Sequence, residues 1–203
     1  MDFSKIESGN LELTIEETKI ADIASEVIDT IKYEAIQKKI DVDLHLDKDV
    51  PIRIWIDPIR IKQVLINLLG NAVKFTATGK IKLKIATINK IDTHQSIVRF
   101  SVKDTGIGIK KHNQEKIFQS FVQEDTSTTR KFGGTGLGLA ISNQLLGLMQ
   151  SELHLDSEYG HGSDFYFSKG VAQINSKQLE VITPYHNHRS KYNVAGTTHA
   201  LDT

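Results

Sequence analysis

Helices packed on one face of a largely antiparallel sheet, a mixed α/β layer, are what this sequence predicts, and three observations predict it. The stretch from Asp57 to Thr76 is an amphipathic helix. Short runs of alternating apolar and polar residues surround it, two of them forming a hairpin directly after it. Glycines concentrate in two places between a strand and a helix, where the backbone must come close to something or turn with φ > 0.

Taken in order, Met1 to Gly9 is a short polar piece that ends in a helix stop signal without a visible helix start. Leu11, Leu13 and Ile15 alternate with polar residues and predict a strand. Ile20, Ile23, Ala24, Val27, Ile28, Ile31 and Ala35 follow helical spacing, giving an amphipathic helix to about Lys39. Val42, Leu44 and Leu46 alternate again, and Ile54 to Ile56 predicts a short strand. Asp57 before Pro58 then opens the central helix, since Pro suits the first helical position and Asp the cap.

At about 100° per residue, Ile61, Val64, Leu65, Leu68, Leu69, Ala72 and Val73 gather on one side of that helix. Arg60, Gln63, Asn67, Asn71 and Lys74 fall within an arc of about 80° on another side. A solvated face is cheaply built from Glu and Lys, whereas Asn is a poor helix former. Two Asn one turn apart therefore suggest chemistry: amide oxygens are hard ligands for Mg²⁺, and a Lys one turn on can neutralise phosphate oxygens.

Beyond the helix, Ala77-Thr78-Gly79 turns into a strand with Ile81, Leu83 and Ile85; a loop from Asn89 to Gln95 leads to a second strand with Val98, Phe100 and Val102. That strand runs into Asp104-Thr105-Gly106-Ile107-Gly108-Ile109. A short helix carrying Ile117, Phe118 and Phe121 follows, then a polar stretch from Glu124 to Lys131. From about Thr135 a helix bears Leu139, Ile141, Leu145, Leu148 and Met149. Leu153 and Leu155 read as one strand, Phe165 and Phe167 as another. Thr183 to Thr203 lacks any period and reads as a linker or tail.

Composition narrows the partners. Lys plus Arg and Asp plus Glu balance at 25 each, so no global field recruits nucleic acid or an anionic membrane. The absence of Cys excludes disulfides, thiolate zinc and thiol nucleophiles, in keeping with a reducing compartment. The N-terminus lacks an apolar signal-peptide core. The uncharged run from Phe132 to Ser151 reads as a loop and a buried helix, so a soluble chain is expected. No P-loop and no Gly-x-Gly-x-x-Gly after a strand is present, which disfavours P-loop and Rossmann enzymes.

Gly133 to Gly138 leads into a helix N-terminus, whose free N–H groups and dipole suit an anion. Asp104, ending an apolar strand at a Gly-x-Gly turn, is either a turn cap or a buried carboxylate that accepts from an exocyclic amine. Together with the central helix, these motifs resemble the ATP-binding catalytic domain of sensor histidine kinases, within the wider superfamily of gyrase, Hsp90 and MutL. NLLGNAVKFT is similar to the family's N box, DTGIGI to its first glycine box and IFQSFVQ to its F box. GGTGLGLAIS resembles the second glycine box and GHGSDF the third.

The resemblance implies an α+β two-layer α/β sandwich, the Bergerat ATP-binding fold, over residues 11–169. Residues 1–10 would end a helical dimerisation and phosphoacceptor region, and 170–203 would be a linker or tail. It implies ATP and Mg²⁺ as cofactors: Asn71 ligating the metal with Asn67 supporting it, Lys74 on phosphate, Phe75 packing at the nucleotide and Asp104 reading the adenine amine. Gly106 and Gly108 would let the backbone pass the base. A lid from about Gln123 to Thr135 would bring Arg130 to the γ-phosphate. Gly134, Thr135, Gly136, Leu137 and Gly138 would line the phosphates, and Ser163 would support the adenine pocket.

Asn67 stands where hydrolytic relatives carry a Glu, and an amide cannot take a proton from water. Transfer to a protein side chain is thus expected over hydrolysis, with a superfamily ATPase, a serine kinase or a regulatory nucleotide-binding module as alternatives. Catalytic roles would fall to Asn67, Lys74 and Arg130. The acceptor His is expected elsewhere, because none of the eight His is followed by a suitably placed Pro; His186 and His188 read as solvated. Expected partners are the dimerisation and phosphoacceptor domain and a receiver domain, within a homodimeric cytoplasmic kinase or the cytosolic part of a membrane-bound one, this chain alone being monomeric. One departure stands out: Gln150-Ser151 occupy the place of the family's paired glycines, leaving the turn into Leu153 open.

Overall fold

In the computed structural model the residues described are 11–118 and 136–173. The chain order is β1 (Glu16–Lys19), α1 (Ile20–Gln37), β2 (Ile40–Leu46), β3 (Arg53–Ile56), α2 (Pro58–Phe75), β4 (Gly79–Lys90) and β5 (Gln95–Asp104). Two 3₁₀ turns, Lys111–Asn113 and Lys116–Phe118, follow, then α3 (Gly138–Leu148), β6 (His154–Glu158) and β7 (Gly162–Ala172). The sheet runs β1-β3-β7-β5-β4-β2, with β6 also paired to β7. Only β2 with β4 is parallel among the described pairs. A mixed, mostly antiparallel sheet with helices packed on it is thus observed.

The helices bury their apolar stripes against one face of this sheet. All seven apolar residues expected on the inner side of α2 are 0–3% exposed. Below them, Phe100 and Phe167 face each other in register on β5 and β7 and stack with centroids 5.0 Å apart. Side chains of this size contribute about 1.5–3 kcal/mol each when fully buried. The opposite face of β5 and β7 carries polar partners such as Ser101, whose hydroxyl donates to Asp164 at 2.6 Å.

Four sequence expectations shift. The first strand is Glu16–Lys19 rather than Leu11 to Ile15. Leu11 is buried and Leu13 packs on the core, so their alternation records burial, while ladder pairing with β3 begins only at Glu16 opposite Ile56. The hairpin is longer than expected, β4 continuing to Lys90 past an irregularity at Thr87 and Asn89. Ile117 and Phe118 lie in a 3₁₀ turn instead of a short helix; Phe121 lies outside the described residues. In α3, Leu148 is 39% exposed, and Ala140, Ser142 and Leu146 join Leu145 on the buried side.

The turn into Leu153 is made without the glycines. Gln150 adopts φ 57° after α3, its N–H donating to the Gly147 carbonyl at 3.0 Å, while Ser151 N–H reaches Leu146 at 2.9 Å. This is a Schellman ending with a Gln at the left-handed position that favours Gly. Asn143 Oδ1 then accepts from Leu153 N–H at 3.0 Å and starts the next strand.

Candidate functional site

The site is assembled around α2, whose two ends are pinned. At its start Asp57, 2% exposed, accepts from Arg60 N–H at 3.0 Å and from Thr14 N–H at 2.9 Å. One carboxylate therefore caps the helix and ties down the preceding chain. At its end Lys38, which follows the last residue of α1, donates to the Val73 carbonyl at 2.9 Å, supplying a cation where α2 leaves carbonyls without partners.

Arg60, Gln63, Asn67, Asn71 and Lys74 are all half-buried, so the stripe is not an ordinary solvated face. It meets the start of α3. Asn67 Nδ2 donates to Ser142 Oγ at 2.9 Å. Gly138, the first residue of α3, sits so tightly on Asn67 that a Cβ there would overlap its amide oxygen. Ser142 is itself 2% exposed and was not singled out as a site residue from sequence; the available signal was a hydroxyl on the buried stripe of an otherwise apolar helix.

At its other end α2 meets the Asp104 turn. Ile107 N–H donates to the Phe75 carbonyl at 3.3 Å, and a Cβ on Gly106 would lie 2.5 Å from that same oxygen. Lys74 Nζ stands 4.9 Å from the Phe75 ring centroid. Asn71, Lys74, Phe75 and Asp104 are therefore brought to one region rather than to opposite surfaces.

Asp104 ends β5 opposite Ser163 of β7 and is 6% exposed. Its Oδ1 accepts from Gly106 N–H at 2.7 Å. Burial pushes its carboxyl above the ordinary value of 3.8; the N–H groups of Gly106 and Ser163 oppose this, and the neighbouring Asp164 charge adds to it. Among the described residues no cation pairs with it. An acceptor held in low dielectric without a counter-ion suits a neutral N–H donor.

Gly108 (φ 63°) and Gly162 (φ 95°) interlock the neighbouring turns: a Cβ on the first would strike the Glu158 carbonyl, and on the second the Asp104 carbonyl. Ser157 of β6, also not anticipated, stitches them, accepting from Ile109 N–H at 2.8 Å. Gln114 adds a clamp from outside, its Nε2 donating to the Ile109 and Ser157 carbonyls at 2.9 Å each. Ser157 follows Leu155 with strand spacing, so a polar residue on an apolar face was the legible sign.

Gly136 stands at φ 70° before Leu137, whose side chain makes no capping hydrogen bond to α3, so the N-cap residue leaves the first N–H groups of that helix to other partners. Arg130, Gly134 and Thr135, with the lid expected from Gln123 to Thr135, lie outside the described residues. So do residues 1–10 and 174–203.

A family profile described as histidine kinase-, DNA gyrase B-, and HSP90-like ATPase matches residues 56–173. The chain belongs to this family. It is 38% identical over 168 residues to hybrid signal transduction histidine kinase B of Dictyostelium discoideum, covering 83% of this chain and 8% of that protein. With the sensor protein GacS of Pseudomonas syringae pv. syringae it shares 38% identity over 180 residues, 89% of this chain and 20% of that one. The chain thus spans a fifth or less of these relatives.

Among solved structures, full-length ShkA in complex with AMPPNP superposes with a TM-score of 0.73 at 32% identity, over 86% of this chain and 35% of that one. The catalytic domain of histidine kinase ThkA superposes with a TM-score of 0.64 at 30% identity, over 77% of this chain and 95% of that one. The family match and these superpositions together give the chain the fold of the ATP-binding catalytic domain of a sensor histidine kinase.

Proposed function

We propose that the chain binds Mg²⁺–ATP between α2, the Asp104 turn and the start of α3, and donates the γ-phosphoryl to a histidine on a separate helical domain. The observation that carries this reading is the contact between Phe75 and the Gly106–Ile107 turn, which joins the amide-and-ammonium stripe to the buried carboxylate. Asp104 would accept from the adenine amine with Ser163 beside it, while Gly106 and Gly108 leave room for the base. Phe75 would pack at the nucleotide. Lys74 and Arg130 would neutralise phosphate oxygens, and the N–H groups from Gly134 through Thr135, Gly136 and Leu137 to Gly138 would take the phosphate chain.

The residues present fit magnesium. No group of three or more His, Asp or Glu able to hold a metal occurs among the described residues. An ion here would be held by Asn71, with Asn67 supporting, and by the phosphates; Mg²⁺ commonly takes few protein oxygens plus substrate phosphate. When bound it supplies charge neutralisation on the β- and γ-phosphates. The chain's own part is positioning and electrostatics, since phosphoryl transfer asks little covalent work of the protein. Asn67 offers an amide where a base would activate water, which supports transfer over hydrolysis.

Calorimetry with AMPPNP tests the site: binding should require Mg²⁺ at useful affinity, and Asn71→Ala or Asp104→Ala should abolish it. Wild-type affinity in both variants would sink the assignment. Mixing the chain with its cognate helical domain and labelled ATP tests transfer; fast steady phosphate release by the chain alone would favour an ATPase. The same reading would make a receiver domain the next phosphoryl acceptor, which the hybrid kinases among the relatives support, and would place the chain in the cytoplasm.

A further inference from the structure

We infer that Ser157 is a positioning residue that fixes which way Ser163 points its proton, and so makes the base pocket favour a purine edge with an amine over one with a carbonyl. The inference rests on the nucleotide reading above. Ser157, Ser163 and Asp104 lie in one row across three strands: Ser157 is opposite Ser163 on β6 and β7, and Ser163 opposite Asp104 on β7 and β5. Ser163 and Asp104 are 7% and 6% exposed, so each polar atom needs a defined partner.

The proton order follows from counting. Ser157 Oγ lies 2.9 Å from the Gly162 carbonyl, which can only accept, so the single Ser157 hydroxyl hydrogen is committed there. Ile109 N–H already donates to Ser157 Oγ at 2.8 Å. The remaining contact, 3.0 Å to Ser163 Oγ, must then be donated by Ser163. With that hydrogen spent, Ser163 offers only lone pairs to anything bound beside it. Asp104, once ionised, offers only acceptors too. Two acceptors facing a base edge suit an exocyclic amine and repel a carbonyl oxygen. A pocket whose buried acceptors go unpaired rejects the wrong base more strongly than a pocket discriminating by shape.

Three measurements test this. On the wild-type chain with Mg²⁺, triphosphates of adenosine, purine riboside and inosine should bind in that order of decreasing affinity; inosine binding as well as purine riboside would overturn the inference without any mutation. Ser157→Ala frees the Ser163 hydrogen to turn toward the base and should narrow the preference for ATP over GTP about tenfold, the scale of one hydrogen bond. Ser157→Thr, which keeps the hydroxyl, should preserve the preference. Where Ser157→Ala fails to fold, Ser157→Cys, with its weak donor and acceptor, takes its place.

Equal weakening of both nucleotides in a folded Ser157→Ala would mean that the residue only braces the turn, and would overturn the inference. Asp104→Asn separates the two levels. If it relaxes base preference while Ser157→Ala does not, the proton-order inference fails alone. If Asp104→Asn leaves base preference untouched, the base assignment itself fails and the inference with it.

Discussion

Gly138→Ala is the substitution that best separates a glycine needed for chemistry from one needed for folding. The added Cβ would overlap Asn67 Oδ1 and stand 3.1 Å from Cγ and 3.2 Å from Nδ2, so the amide must swing away. Its 2.9 Å bond to Ser142, a hydroxyl that is 2% exposed, is then lost. Losing that bond costs about 1 kcal/mol. Ala in place of Gly in a helix returns about 0.5–1 kcal/mol. The two nearly cancel, so the melting temperature should move by less than about 2 °C for a chain of this size. Binding should not be spared: displacing a residue that supports a metal ligand typically weakens metal affinity about 10- to 100-fold. Paired thermal melts and calorimetric titrations with Mg²⁺–AMPPNP check both halves. Unchanged nucleotide affinity in a folded variant would refute a supporting role for Asn67. A stability loss above about 2 kcal/mol would show that the glycine serves packing.

Asp104 gives opposite signs for binding and stability. Its folded pKa is raised above 3.8, so as pH falls through that raised value the carboxylate protonates, loses acceptor capacity, and ATP affinity should drop, as a titration series would show. Stability runs the other way: the folded state holds this proton to higher pH than the unfolded chain, so its contribution is complete below about 3.8 and is lost as pH rises through the folded pKa. Asp104→Asn should flatten both profiles. Gln150→Gly should stabilise the fold by up to about 1 kcal/mol in denaturant melts, because the left-handed conformation at φ 57° disfavours any side chain. Asp57→Ala should cost about 1–2 kcal/mol, from loss of the α2 cap together with the Thr14 anchor.

The sequence was most informative where period and chemistry coincided. A 3.6-residue period located the buried side of α2 residue by residue, and the placement of its amides and Lys74 beside that side followed from the same geometry. It was least informative where burial and pairing come apart. Leu11 and Leu13 alternate like a strand because both contact the core, yet the Asp57 side chain, and not a neighbouring strand, takes the Thr14 N–H. In α3 the apolar residues alone suggested Leu148 inward, whereas the helix turns Ser142 inward to meet Asn67. Polar residues that serve as partners to other polar residues carry no hydropathy signal. Ser142, Ser157 and Gln114 escaped for that reason, although Ser142 and Ser157 stand at core-facing spacing.

Three of the proposed site residues are each braced by an element other than their own. Asn67 on α2 is fixed from α3, Asp104 on β5 from the following turn and from β7, and Ser163 on β7 from β6. Such cross-bracing makes positional accuracy depend on the packing between elements, which the apolar side of α2 over Phe100 and Phe167 supplies. Buried, and with no cationic partner among the described residues, Asp104 works against stability when ionised, a cost that the buried apolar core must offset. Substitutions that loosen the core should therefore weaken all nucleotides together, whereas those in the bracing hydroxyls should change which nucleotide is preferred. A variant such as Leu68→Ala that altered base preference without lowering overall affinity would show that selectivity resides in the fold as a whole rather than in these few hydrogen bonds.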